Sequence, residues 1–229
     1  MDTAEHSLHN ATSLAVESAG SKPSIFVVLP TYNEADNLPA MVAALLALPL
    51  ADLQVVVVDD GSPDGTGQVA DRLASYHPGR VFALHRQGKR GLGRAYVEGF
   101  GRALALGAQI IVQMDADFSH SPQDVPRLVE AVRDCDVAIG SRYVEGGELD
   151  SQWSWWRRFL SWWANAVYTQ AFLGISVHDA TSGFRCWRRA TLEGIGLERI
   201  RSNGYVFQVE MAYVAERLGY RAVEVPIFF

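Results

Sequence analysis

Val55-Val56-Val57-Val58-Asp59-Asp60-Gly61-Ser62-Pro63-Asp64-Gly65-Thr66 is the stretch that sets the fold class. Four consecutive β-branched residues do not alternate between core and water, so both faces of this strand must be covered. Two carboxylates follow at once, and a Ser-Pro-Asp-Gly turn then leads into a helix over Asp64 to Tyr76. The same strand, polar exit and helix recur on either side. Ile25-Phe26-Val27-Val28-Leu29 reads as a buried strand stopped by Pro30, followed by a helix over Asn37 to Leu48. Val81 to His85 is a strand, and Gly91 to Leu106 a helix. Ile110-Ile111-Val112-Gln113-Met114 precedes a helix over Pro122 to Arg133, and Val137-Ala138-Ile139-Gly140 is a fifth strand. Apolar strands separated by helices predict an α/β protein with a mostly parallel central sheet flanked by helices.

From Val144 onward the pattern changes. Trp153 to Gly174 holds Trp153, Trp155, Trp156, Trp162 and Trp163 with Arg157 and Arg158 among them. That mixture suits a membrane interface; a core helix or an oligomer contact is the plainer alternative. Gly204 to Leu218 reads as a helix and Ala222 to Pro226 as a last strand, close to the chain's final residue, Phe229. The first 22 residues have neither a basic start nor an apolar core, so they are expected to form a disordered leader, with one domain over 23–229.

The 229 residues, 48% hydrophobic and 20% charged, suffice for one full core. A net charge of -6 argues against a nucleic-acid partner. The charge is uneven, however. Arg80, Arg86, Lys89, Arg90, Arg94 and Arg102 share one stretch with only Glu98 opposing them. Local basic segments on an acidic chain fit a small phosphorylated ligand. Cys135 and Cys186 have no CxxC spacing and read as reduced thiols of a cytosolic protein. No stretch is long and apolar enough to span a bilayer.

Ligands of parallel sheets bind beyond the carboxyl ends of the strands, so the strand exits carry the chemistry. Asp115-Ala116-Asp117 follows the Ile110 strand. Carboxylates two residues apart at such an exit can converge on Mg²⁺ or Mn²⁺, which favour hard oxygen ligands and share them with substrate phosphates. The plainer reading is a turn whose Asp caps a helix through Ser119 or Ser121. Asp60 could accept from a base or ribose, whereas Asp64 reads as a helix N-cap. Tyr32 could stack on a base and Glu34 hydrogen-bond to it. Gly88-Lys89-Arg90-Gly91-Leu92-Gly93 is basic at a helix start, which favours an anion; a surface loop is the alternative.

Four segments occur in order at fitting distances: Pro30-Thr31-Tyr32-Asn33-Glu34, Val58 through Thr66, Asp115-Ala116-Asp117 and Gly140-Ser141-Arg142-Tyr143. Together they resemble glycosyltransferase family two with the GT-A fold, and more narrowly its polyprenol-phosphate (dolichol-phosphate) mannose synthases. Asp179-Ala180-Thr181-Ser182-Gly183-Phe184-Arg185 and Gly204 through Glu210 extend the likeness. The resemblance implies GDP-mannose as donor, a polyprenyl phosphate as acceptor, and inverting transfer at the cytoplasmic face of a membrane, with a separate anchor domain or subunit in prospect. It implies that Pro30, Tyr32, Glu34, Val58 and Asp60 hold the guanosine end. Asp115, Ala116 and Asp117 would hold the diphosphate and metal, with Ser119 where some members place a Gln ligand. Arg142 and Arg157 would meet phosphates near the sugar and the acceptor. In the family a short basic segment follows the last strand and closes over the phosphates, and the chain is expected to lack it.

Three rivals follow from the same residues. The donor could be UDP-glucose. The chain could be a non-catalytic subunit that kept the fold, although Asp60 and Asp117 are both present. A nucleotidyltransferase would carry a glycine-rich basic loop after the first strand, where this chain has Pro30 to Glu34.

Overall fold

The computed structural model describes residues 23–88, 91–147 and 174–228. Seven strands form one sheet: β1 (Ile25–Thr31), β2 (Leu53–Asp59), β3 (Val81–His85), β4 (Ile110–Gln113), β5 (Val137–Ser141), β6 (Arg185–Arg188) and β7 (Ala222–Pro226). Their order is β3-β2-β1-β4-β6-β5-β7. Only β6 runs antiparallel to its neighbours, β4 and β5. Six α-helices lie among the described residues: α1 (Leu38–Leu46), α2 (Thr66–Tyr76), α3 (Leu92–Ala105), α4 (Val125–Ala131), α5 (Arg189–Ile195) and α6 (Tyr205–Arg217).

Successive strand residues enter two cores. Val27, Leu29, Val55, Val57 and Val112 pack with α1, α2 and α4. Phe26, Val28, Val56, Val58 and Ile111 pack with α3, α5 and α6 on the other face. Each fully buried aliphatic side chain contributes roughly 1.5–3 kcal/mol, which is why the strands read as unbroken apolar runs.

Two sequence expectations fail locally. Pro30 does not stop β1, which continues to Thr31. Val28 faces β4, since its carbonyl accepts from the Met114 amide, and Thr31 faces β2 through the Asp60 amide. By alternation Pro30 faces the β4 side, where β4 has ended at Gln113, so no ladder donor is lost. The second failure is β6 with α5, for which no element was expected. Arg185-Cys186-Trp187-Arg188 has charged ends, yet its first three residues are fully buried. The tryptophan-rich segment lies outside the described residues.

Candidate active site

The parallel strands deliver their C-terminal ends to one edge, where Thr31, Asp59 and His85 stand in register. Antiparallel β6 begins there, with Arg185 beside Gln113. The loops after β1 and β2 are stapled together. The Glu34 amide donates to Thr66 Oγ1 at 2.9 Å, Ala35 to Asp64 Oδ2 at 3.1 Å, and Asn33 to Ser62 Oγ at 3.1 Å. Asp64 Oδ1 also takes the Thr66 amide at 3.0 Å and its hydroxyl at 2.6 Å, but the N-cap of α2 is Gly65, so Asp64 braces the turn before the helix rather than capping it. Tyr32, beside this staple, is 37% exposed.

Asp60 is buried, and Oδ1 pairs with Arg86 Nη1 while Oδ2 accepts from the Gly91 amide at 3.0 Å. A carboxylate against the Gly91 amide, just before α3, also meets the positive end of that helix. Both Asp60 oxygens therefore serve the protein.

Asp115 and Asp117 follow β4. Asp115 Oδ1 accepts from the Tyr96 hydroxyl at 2.6 Å. Burial lifts the Asp115 carboxyl to about 6, the Tyr96 hydrogen bond opposes that, and the Asp117 charge adds to it. Tyr96 is buried in α3 against Phe207, with ring centroids 5.8 Å apart, and burial holds its hydroxyl far above the ordinary range. Asp117 is exposed, and its Oδ1 takes the Ser119 amide at 3.0 Å across the left-handed Phe118. His120 is buried on Phe184, and burial pushes its imidazole down to about 4, so it is neutral at pH 7.

A cavity of about 230 Å³ opens between these strand exits. Pro30, Thr31, Tyr32, Glu34 and Asp60 line one side, Asp115, Ala116 and Asp117 the other, and Gly91, Leu92 and Ala95 of the α3 start close it. Seven of the residues singled out from sequence thus meet in one place. Val58 does not line it: its side chain is buried against α3, where a methyl on Gly99 would meet Val58 Cγ2 at 2.9 Å. Arg142 is also off the wall. Its Nε and Nη2 grip the two Asp179 oxygens at 2.8 Å each, and Nη2 reaches Thr181 Oγ1 at 3.1 Å. Arg157 lies outside the described residues.

Oxygen chemistry at Asp115 and Asp117 fits a divalent cation. One oxygen of each is held by a protein donor, and the other accepts no hydrogen bond among the described residues. The Ser119 hydroxyl would add a third hard oxygen. No group of three or more His, Cys, Asp or Glu converges among the described residues, so substrate oxygens and water would complete the shell.

Sequence reading gave four contributors no individual role. Tyr96 was seen only as an apolar helix position, and nothing local marks it as the partner of Asp115. Asp179 fixes Arg142, and Arg86 neutralises Asp60. Arg185 is wholly buried, donating to the Ala180 and Ser182 carbonyls, and burial lowers its pKa to about 10. It remains charged and pins the turn that leads into β6.

Residues 26–196 match the family described as Glycosyl transferase family 2. The chain belongs to this family. Among family 2 relatives, it is 48% identical over 205 residues to the polyprenol monophosphomannose synthase of Mycolicibacterium smegmatis, covering 89% of this chain and 76% of that protein. It is 48% identical over 206 residues to the undecaprenyl-phosphate mannosyltransferase of Micrococcus luteus, covering 90% and 83%. Two solved structures share the fold. The mannosyltransferase PcManGT from Pyrobaculum calidifontis, in complex with GDP-Man and Mn²⁺, superposes with a TM-score of 0.60 at 20% identity, over 90% of this chain and 55% of that one. Glucosyl-3-phosphoglycerate synthase from Mycobacterium tuberculosis gives 0.65 at 20% identity, over 90% and 72%. The family 2 chain is a glycosyltransferase with the GT-A fold.

Proposed function

We propose that this glycosyltransferase moves mannose from GDP-mannose to a polyprenyl monophosphate, inverting the anomeric carbon. The reading rests on 48% identity across nine-tenths of the chain to proteins named for mannosyl transfer to polyprenyl phosphates. The carboxylate-lined cavity at the strand exits agrees with it.

In this reading Tyr32 stacks on the guanine, and Glu34 and Asp60 receive its polar groups and those of the ribose. Asp117, Asp115 and Ser119 would hold Mg²⁺ or Mn²⁺, which would supply charge stabilisation for the leaving nucleotide. The acceptor phosphate is already anionic near neutral pH, so it needs position more than a general base. Asp179 fixes the plane of the Arg142 guanidinium. The acceptor phosphate meets Arg142, with Arg157 as a second cation. Because the acceptor is a lipid, the protein works at a membrane surface, on the cytoplasmic side where GDP-mannose would be supplied. No helix among the described residues is long and apolar enough to cross the bilayer.

Radiolabelled GDP-mannose with a polyprenyl phosphate in detergent should give a mannolipid in the presence of Mg²⁺ or Mn²⁺ and none after chelation. Product from UDP-glucose but not GDP-mannose would reassign the donor. No product from either, with nucleotide still bound, would point to a non-catalytic subunit.

A further inference from the structure

Behind the cavity runs a chain of buried polar side chains that the proposed reaction does not use. Trp187 of β6 and Gln113 of β4 are fully buried, and Gln208 of α6 is 2% exposed. Trp187 Nε1 donates to Gln113 Oε1 at 3.2 Å, and Gln113 Nε2 donates to Gln208 Oε1 at 2.6 Å. An indole N–H can only donate. It therefore fixes which end of the Gln113 amide faces it, and Gln113 in turn fixes Gln208. The relay has one polarity, and its output is the Gln208 NH₂ group.

That NH₂ group has no hydrogen-bond partner among the described residues, although its side chain is almost wholly buried. It points at Gly183. A methyl on Gly183 would lie 3.4 Å from Gln208 Nε2, 3.3 Å from Asp115 Oδ2 and 3.5 Å from His120 Cε1. The missing side chain leaves a nook with a neutral donor on one side and a carboxylate acceptor on the other. On the Gln208 side the amide hydrogens repel a cation, which leaves any metal held by Asp115 to the side facing Asp117, and the carboxylate repels a phosphate. A hydroxyl satisfies both, donating to Asp115 while accepting from Gln208.

We propose that Gln208 is a specificity-determining residue that donates to one hydroxyl of the transferred sugar, in a subsite bounded by Gly183 and Asp115 and oriented by Trp187 and Gln113. This rests on the nucleotide-sugar reading and goes beyond it by naming a residue that reads the sugar rather than the nucleotide.

Calorimetric titration, with Mg²⁺ present, of GDP-mannose and of GDP tests it. Gln208→Glu keeps the acceptor for Gln113 but turns the donor into an acceptor. Gly183→Ala fills the nook and leaves the relay intact. Both should weaken GDP-mannose roughly tenfold, the size of one hydrogen bond, and change GDP by less than about twofold. Among deoxy analogues of GDP-mannose, one should bind the wild type and Gln208→Glu alike. Equal losses for GDP and GDP-mannose, or no loss in Gly183→Ala with an unchanged unfolding midpoint, would overturn the subsite. If the wild type takes UDP-glucose instead, the donor assignment fails by itself, and UDP-glucose against UDP reads the Gln208 subsite in the same way.

Discussion

Asp115 and Asp117 are two residues apart and live in different media. Asp115 is tucked under Tyr96 with its carboxyl lifted to about 6, while Asp117 faces solvent. The pair was legible as Asp-Ala-Asp after an apolar strand. Its asymmetry was not, because Tyr96 comes from another element, 19 positions upstream. A carboxyl whose folded pKa exceeds its unfolded value favours the fold when protonated, and that contribution disappears as pH rises from about 4 through about 6. Ionised Asp115 therefore destabilises the apo protein at pH 7. Asp115→Asn, which can still accept from Tyr96, should raise stability there by about 1–3 kcal/mol. Thermal unfolding should show a gain of several degrees at pH 7 that shrinks towards pH 4, and an equal gain at both pH values would contradict the burial argument. Transfer should fall despite the firmer fold. Asp117→Ala, at an exposed site, should leave the unfolding midpoint nearly unchanged yet cut transfer on the order of a hundredfold or more. Full activity at saturating Mg²⁺ would remove Asp117 from the metal site.

At the scale of elements, α3 joins core to site. It brings Tyr96 to Asp115, starts at the Gly91 amide that Asp60 accepts, and lies hard against β1 and β2 at Gly99. A methyl there would come within 2.4 Å of Val28 Cγ1. Gly99→Ala should overpack this contact and cost about 1–3 kcal/mol. Urea unfolding would show it as a lower midpoint, and the lifted helix should also weaken the Tyr96–Asp115 bond. An unchanged midpoint would mean that α3 can shift freely. The helical spacing of Leu92, Ala95, Tyr96, Gly99 and Ala103 made α3 legible. Strand β6 was not, because both its ends are arginines. Their cost is met by carbonyls: Arg185 donates to Ala180 and Ser182 in the preceding turn, and Arg188 Nε donates to Val132, 56 positions upstream, at 2.9 Å. A local window contains none of Val132 or the strand edges between which β6 inserts.

At the scale of the whole molecule, the parallel sheet gathers its acidic exits at one edge, and the charge of -6 gives no general attraction to an anionic bilayer. Yet the proposed acceptor is a lipid, so local contacts on this chain would have to contribute what net charge does not. Among the described residues no spanning helix supplies it, and the exposed large apolar side chains are spread along the sequence, from Tyr32 to Phe228. Tryptophan density in the sequence peaks between Trp153 and Trp163, beside Arg157 and Arg158. Indole rings favour the headgroup level of a bilayer, and neighbouring arginines would meet lipid phosphates there. Replacing Trp155, Trp156 and Trp162 together by serine should abolish flotation with liposomes. It should lower transfer to a long-chain polyprenyl phosphate in vesicles by about tenfold or more. Transfer to a short, water-soluble polyprenyl phosphate should persist, because the strand-exit cavity is built from other elements. Unchanged flotation would assign these rings to a core or an oligomer contact. Loss of both activities together, with a lower unfolding midpoint, would do the same, since a surface anchor is not needed for an acceptor already in solution.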